Sequence, residues 1–461
     1  MLNRIRRWIG GTSTRSYDGA QGGRRWTGNP GMPRPVATAH AARHTLAARA
    51  RYAVSNNPLA ASGLEAWTNS LVGVGVKPQS RHPDPATRDL LSTNFELWTD
   101  AADADGLTDF YGLSASLVRS MVVAGEAFAV LVTESGRLKV RQIDPDQVDA
   151  SYNARLNDGR QIVQGIEFDA SGRRAAYYVF VERPGQIFGE HSLRRERIPA
   201  EDMIHLFRPI WPGMCRGLSW FAPILLRMTD HDETRDAQQV RQKVGALLTG
   251  FIRNADGGSD PMEGEQVGGT LTGGMEPGAM KYLAPGEEVV FSTPPTIGMD
   301  AIAFMRLTER EIAVGLGVPP YLLHGDLSDV NFSSIRAGLI AFRERVEALQ
   351  HSVLVYQALR PVYERWATLE VLSGRVKSTV EDALPAVWVT PRQTWVDPLK
   401  DTQAEILAIG AGLKSRREAV ASRGVDIEAL DAEIAADNER ATSLGLTFNA
   451  NDNAAIDDEA A

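Results

Sequence analysis

The tightest run of reactive side chains is Asp230, His231, Asp232 and Glu233, residue types that bind divalent metals and activate water for hydrolysis. Consecutive residues on a helix point in different directions, so the run does not by itself converge on one ion. Gly217, Leu218 and Ser219 begin like the turn that exposes a nucleophilic serine, but Phe221 stands where its second glycine is required. Ser219 therefore reads as a helix cap. None of the seven lysines follows a glycine, which excludes the phosphate-cradling GxxxxGK[ST] loop and with it a P-loop motor ATPase. The eight histidines include no HExxH pair to set two imidazoles on one helical face, so a zinc protease of that class is excluded as well. Cys215, the single cysteine, makes no intrachain disulfide and no thiolate cluster for zinc or iron. No catalytic residue, metal site or cofactor loop emerges, and the expectation is a protein that is not an enzyme.

The elements that must position these residues are spread over 461 residues, enough for several structural units. With 43% hydrophobic and 23% charged residues, most of the chain is expected to fold. The net charge of −9 hides an asymmetry: residues 1–51 carry ten Arg and one Asp, whereas residues 426–461 carry ten acids and one Arg. A basic arm suits nucleic acid or acidic partners, or is simply solvated. The best apolar stretch, Ile312 to Gly325, is short for a membrane span and contains three Gly and two Pro. The basic start MLNRIRRWIGG has no apolar run before Arg15, so neither signal peptide nor membrane anchor is expected.

Order is expected from about His40, with an Ala-rich helical pattern to Leu71 interrupted at Asn56, Asn57 and Pro58. Residues 86–125 read as two helices, the second after Asp109. Strands follow: Phe128–Thr133 with Leu138–Ile143 as a hairpin, then Ile162–Phe168 with Ala175–Val181 as another, closed by Met203–Phe207. Residues 219–248 form one long helical pattern of roughly 45 Å, apolar at both ends and polar nearly all round from Thr229 to Gln239. Gly250–Gly298 holds eleven Gly and five Pro, which predicts short strands and turns, among them Met280–Leu283 and Val289–Ser292 about a type II turn at Pro285 and Gly286. Helix returns at Asp300–Leu316, breaks at Gly317, Pro319 and Pro320, and restarts after Ser333. Ile335, Leu339, Phe342, Val346, Leu349, Val353 and Tyr356 then recur at steps of four and three, a stripe that Pro361 is expected to kink or end.

That order of elements, and the words in it, resemble the lambda-type family of tailed-phage portal proteins. The segments that carry the likeness are RIPAEDMIHLFRPIWPGMCRGLSWFAP (Arg197–Pro223), EIAVGLGVPPYLLHGDLSDVNFSSIRAGL (Glu311–Leu339) and WVDPLKDTQAEILAIGAGLKSRREAVASRGVD (Trp395–Asp426). GIEFDASGRRAAYYV (Gly165–Val179) fits as well, and the likeness runs collinearly over about residues 41–446. It implies a helix-rich α+β portal fold assembled as a ring. Its parts would be a basic arm (1–38), an α/β wing (39–212), a stem helix (213–248), a clip (249–299), a returning stem helix (300–317) and a tunnel loop (318–334). A long helix returning to the wing (335–398), a C-terminal helical region (399–446) and an acidic tail (447–461) complete it.

The resemblance further implies a ring of twelve copies at one capsid vertex, a channel for double-stranded DNA that binds it without sequence preference. The expected partners are the terminase large subunit, major capsid and scaffold proteins, and head-completion or tail adaptor proteins, with localisation in the virion and, during assembly, the host cytoplasm. Motor docking would fall to the acidic clip residues Asp256, Asp260, Glu263, Glu265 and Glu276, and the tunnel loop to His324, Asp326, Asp329, Val330, Asn331 and Phe332. In the polar helix, Asp230, Asp232, Glu233 and Asp236 would either line a repulsive lumen or pair with Arg227, Arg235 and Arg241 of the same or the next subunit. Alternatives in other classes are a capsid or head-tail adaptor without a channel, and a metal-dependent nuclease at Asp230–Glu233.

Overall fold

The computed structural model describes residues 31–182, 194–246, 250–254, 265–267, 270–272, 287–291, 299–328, 332–391, 398–423, 425 and 427–446. Proline and a side-chain cap open the first helices. Pro35, Pro58 and Pro85 start α1 (Pro35–Asn56), α2 (Pro58–Leu71) and α3 (Pro85–Thr99), where a missing N–H costs no helical bond. Asn57, Asp84 and Asp109 accept the N–H groups of Ala60, Thr87 and Gly112, the last opening α4 (Phe110–Ala124). Helix thus begins at Pro35, ahead of the expected start near His40, because Pro35 presets the first turn.

Strand β1 (Lys77–Ser80) lies between α2 and α3. The expected first hairpin is present as β2 (Glu126–Glu134) and β3 (Arg137–Ile143), joined through Ser135 and Gly136, both at positive φ. The strand expected over Ile162–Phe168 is instead a second tight hairpin. Its sheet runs in chain order: β4 (Ala154–Arg155), β5 (Gln161–Val163), β6 (Ile166–Phe168), β7 (Arg174–Phe180) and β8 (Arg195–Pro199), all antiparallel. Gln164 and Gly165 turn the chain with φ of 50° and 77°, and Val163 pairs with Ile166. Apolar residues on both sides of a two-residue turn imitate one alternating strand, which is why periodicity alone misreads it. Strand β9 (Met203–Phe207) then joins the free edge of β2.

The long helix expected over 219–248 starts later, as α5 (Leu225–Ala246), after turns at 219–224 that include Pro223. At 1.5 Å per residue it spans roughly 33 Å. Ser219 serves those turns, accepting the Phe221 N–H at 3.2 Å. Beyond it lie β10 (Gly250–Asn254), β11 (Glu265–Val267), β12 (Thr270–Thr272) and β13 (Glu287–Phe291). β10 pairs with β13, and β11 with β12, so Val289 and its neighbours pair with residues 250–254. Met280–Leu283 and the turn at Pro285 and Gly286 lie outside the described residues.

Helix α6 (Met299–Leu316) returns as expected and α7 (Pro320–His324) follows it. Helix α8 (Phe332–Leu349) begins three residues ahead of Ile335. Pro361 does not end the rod. A π-helical stretch, Gln350–Leu359, leads directly into α9 (Arg360–Leu372) with Pro361 in its first turn. The Arg360 N–H bonds back five residues to Val355, and the wider turn supplies the space that the proline ring needs. It also ends the stripe: Val353 is buried, Tyr356 is exposed, and burial passes to Ala358 and Val362. Short α10 (Val380–Ala383), β14 (Ala386–Val389) paired with β1, and α11 (Pro398–Gly410), α12 (Arg416–Ala421) and α13 (Ile427–Ser443) complete the chain.

One apolar core joins the helices to the β3-β2-β9 sheet. Trp67 stands edge-on to Trp220 at 4.9 Å and packs on Phe342, while its indole N–H donates to the Leu316 carbonyl. Phe95, Trp98, Phe110, Tyr363 and Trp366 form a second aromatic group, where α9 crosses α3 and α4. The other face of the β3-β2-β9 sheet shares a smaller core with the five-stranded sheet through Phe128, Ile166 and Tyr177.

Candidate functional site

Helices α5 and α6 pack together, and the expected channel residues are carried on α5 and the loop after α7. Ile224 packs so close to Gly315 that a Cβ there would lie 2.3 Å from its methyl group, which lets the two segments meet at that end. Arg227 then reaches Glu311 at 3.6 Å, and buried His231 faces Glu309 at 3.5 Å. These contacts run antiparallel along the pair. Asp232 accepts a 2.7 Å hydrogen bond from Asn57, which fastens α5 to the junction of α1 and α2.

Asp230, Glu233, Arg235 and Asp236 are exposed and form no ion pair among the described residues, so the expected pairing within the helix is not made. Arg227 pairs across to α6 instead. No three His, Cys, Asp or Glu side chains among the described residues converge to hold a metal, and the Asp230–Glu233 run is spread around its helix. Among the described residues, no helix is long and apolar enough to cross a membrane.

In the loop, the His324 Nδ1 accepts from the Asp326 N–H, and the Asp326 carboxylate accepts from Ser328. That bond from Ser328 holds the Asp326 carboxyl below its ordinary pKa, and Arg306 of α6 lies 3.8 Å away. Asp329, Val330 and Asn331 lie outside the described residues. Helix α7 and the start of α8 at Phe332 both fall within the expected loop 318–334, so the connecting loop itself is shorter. Of the acidic clip residues, Glu265 opens strand β11, while Asp256, Asp260, Glu263 and Glu276 lie outside the described residues.

A buried ionic node escaped the sequence reading. Glu126, at the start of β2, takes Arg43 of α1 at 2.8 Å, Arg216 at 2.7 Å, His205 of β9 at 3.2 Å and the Gly217 N–H at 3.0 Å. Arg216 also donates to the carbonyls of Pro145, Val148 and Gln164. Burial would raise the Glu126 carboxyl, but Arg216, His205 and Arg43 overcome it and hold the group far below the carboxylate range. Burial pushes His205 down to about 4 despite its bond to Glu126. The imidazole is therefore neutral at pH 7, stacked between Phe128 and Phe207. The signal was there: alternation in EAFAVLV and MIHLF puts Glu126 and His205 on inward positions, where an unpaired charge would be costly. A polar node so fully paired holds elements together and leaves no open valence for a substrate.

Known proteins resemble most of the chain. A family model described as phage portal protein, lambda family, matches residues 22–350. The probable portal protein of Halomonas phage phiHAP-1 is 24% identical over 443 residues, covering 91% of this chain and 85% of that protein. Portal protein B of Escherichia phage lambda is 23% identical over 452 residues, covering 87% and 84%. A chain in the virion of a native gene transfer agent particle aligns over 88% of this chain and 94% of its own length, at 16% identity and a TM-score of 0.46. With the family model matched over most of its length, the chain belongs to the lambda family of phage portal proteins.

Proposed function

We propose that copies of this chain close into a ring at one capsid vertex, where the ring is the conduit for double-stranded DNA. The observation that carries the reading is the family match over residues 22–350. In this reading α5 and α6 are the stem, β10–β13 belong to the clip, the segment after α7 is the tunnel loop, and α1–β9 form the wing. The protein works as a structural part of the virion, and the energy for packaging comes from the terminase large subunit docked on the clip. Scaffold and major capsid proteins would meet the ring during assembly, and head-completion or tail adaptor proteins afterwards.

Physical chemistry supports a conduit of this kind. Each phosphate neutralised by Lys or Arg releases counterions and tightens binding, so a cation-rich channel would hold DNA that has to slide. The exposed surface of α5 carries Asp230, Glu233 and Asp236 beside Arg227, Arg235, Arg241 and Lys243, a mixed surface that is not cation-rich. Light scattering on the purified chain, followed by negative-stain micrographs, tests the reading. The expected result is a ring with a central hole. Monomer at every protein and salt concentration would overturn it, and a solid oligomer without a hole would favour an adaptor.

A further inference from the structure

A groove of about 660 Å³ opens where the first turn of α1 meets the five-stranded sheet. Its walls are Val36 and Ala37 of α1, Val163 and Phe168 of the sheet, and Pro212 and Cys215 from the segment after β9. Among the described residues its lining holds no acid. Its charged and titratable members are exposed Arg34, His40 and buried Cys215, whose Sγ lies 3.4 Å from the His40 Nε2. Val36, Val163 and Phe168 are only half-buried, and Ile210 and Trp211, which lead into Pro212, are 50% and 42% exposed. Concave apolar surface left open to water gains free energy when an apolar side chain covers it.

The chain itself brings a covering group to this place. Residues 1–30 lie outside the described residues, and the described chain begins at Gly31, just ahead of Arg34 in the groove lining. Asn29 and Pro30 are the residue types favoured at the first two positions of a type I β-turn. A turn over Asn29–Met32 sets residue 27 level with Arg34 and residue 26 level with Pro35, at the groove. Residue 26 is Trp, the first large apolar side chain ahead of that turn.

We infer that Trp26 of the same chain occupies this groove, so that residues 24–28 become part of the surface beside the five-stranded sheet. The short connection from Trp26 to Arg34 holds the indole at high effective concentration, whereas Trp8 lies much further along the chain. Seated in this way, the basic arm is divided. Arg24 and Arg25 are held beside the sheet, and Arg4, Arg6, Arg7 and Arg15 lie beyond the anchor. The contact lies within one chain and does not depend on ring assembly.

Cys215 is the single cysteine, so one thiol reports on the groove in the full chain. Trp26→Ala should speed the labelling of Cys215 by a maleimide severalfold, whereas Trp26→Phe and Trp8→Ala should keep the unmodified rate. Trypsin gives a second readout: in the unmodified chain it should cut after Arg24 and Arg25 more slowly than after Arg15. Ala37→Glu puts a charge into the groove at an exposed position in the first turn of α1, where an acid suits the helix N-terminus. That variant should be cut equally fast at all three arginines. On prolonged reaction, a short bismaleimide should link Thr27→Cys to Cys215 within one chain. A ladder of linked chains would assign the groove to a neighbour's arm and overturn the proposal. Labelling unchanged by Trp26→Ala, equal cutting at Arg15 and Arg25 in the unmodified chain, or no link at all would overturn it as well.

Discussion

Arg216 meets Glu126 with its Nε 2.9 Å from both carboxylate oxygens and its Nη2 2.7 Å from Oε1, and both side chains are fully buried. A pair taken so completely out of water is held by its partners, and removal of either one strands the other. Arg216→Met should lower stability by about 3–5 kcal/mol, read as a lower urea midpoint. Arg119→Met removes the exposed pair between Arg119 and Glu65, and should cost less than about 1 kcal/mol. Equal losses in the two variants would show that the buried node carries no special weight.

Acid should act on this node in two stages. His205 has a folded pKa of about 4 against an ordinary 6.5, so between those values the unfolded chain binds a proton that the folded chain does not. Stability therefore falls as the pH drops from 6.5 towards 4. Glu126 has a depressed folded pKa, so its contribution is full above the ordinary 4.5 and is lost below it as the pH falls further. Melting temperatures across this range should show both limbs. His205→Gln should flatten the upper one and leave the lower in place.

Asp230, Glu233 and Asp236 are exposed on α5. Asp236→Lys should leave ring formation unchanged, raise the affinity of the rings for double-stranded DNA and steepen its salt dependence. Filter binding at several salt concentrations reads the affinity, and light scattering reads the assembly.

Replacing residues 256–276 with a short linker should remove the β11–β12 hairpin while sparing the β10–β13 pair. Circular dichroism and ring formation should persist, and binding to the terminase large subunit should be lost. Undiminished motor binding would move the docking site elsewhere.

Val330→Gly with Phe332→Gly should spare rings but impair packaging or retention of DNA in the capsid. Because Phe332 opens α8, Phe332→Ala is the companion variant, which removes the ring without the helix penalty of glycine, about 1 kcal/mol. Wild-type packaging by both variants would reduce the loop to a connector.

Local rules were readable wherever one residue type settles one geometry. Asn57 with Pro58 marked the break between two helices, Asp109 marked a helix start, and Ser135 with Gly136 marked the first hairpin, whereas Pro35 and Pro361 opened helical turns that the sequence reading did not place. The misreadings share a cause. Gln164 and Gly165, flanked by apolar residues, hid a turn inside an alternating pattern, and Tyr356 continued a stripe that the π-helical stretch had already rotated away. Both are register effects, invisible to a fixed period. Of the candidate site, the polar surface of α5 was legible, because exposure follows from composition. The node at Glu126 was not, since its four partners lie 79 to 91 residues from it along the chain and meet it only in three dimensions.

The π-helical stretch lets a single rod keep two incompatible appointments. Its lower half is gripped at Phe342 by Trp67 and at Gln350 by the carbonyls of Ser70 and Leu71. Its upper half is gripped at Tyr363 and Trp366 by Phe95. A uniformly wound α-helix would reach the second grip at the wrong angle, and the wide turns between them act as a phase shifter. A change of one residue in the count between the two grips alters the winding by about 100° wherever the wide turns do not take it up. Length at this point is therefore a timing element, and the rod should tolerate changes of side chain there far better than changes of count.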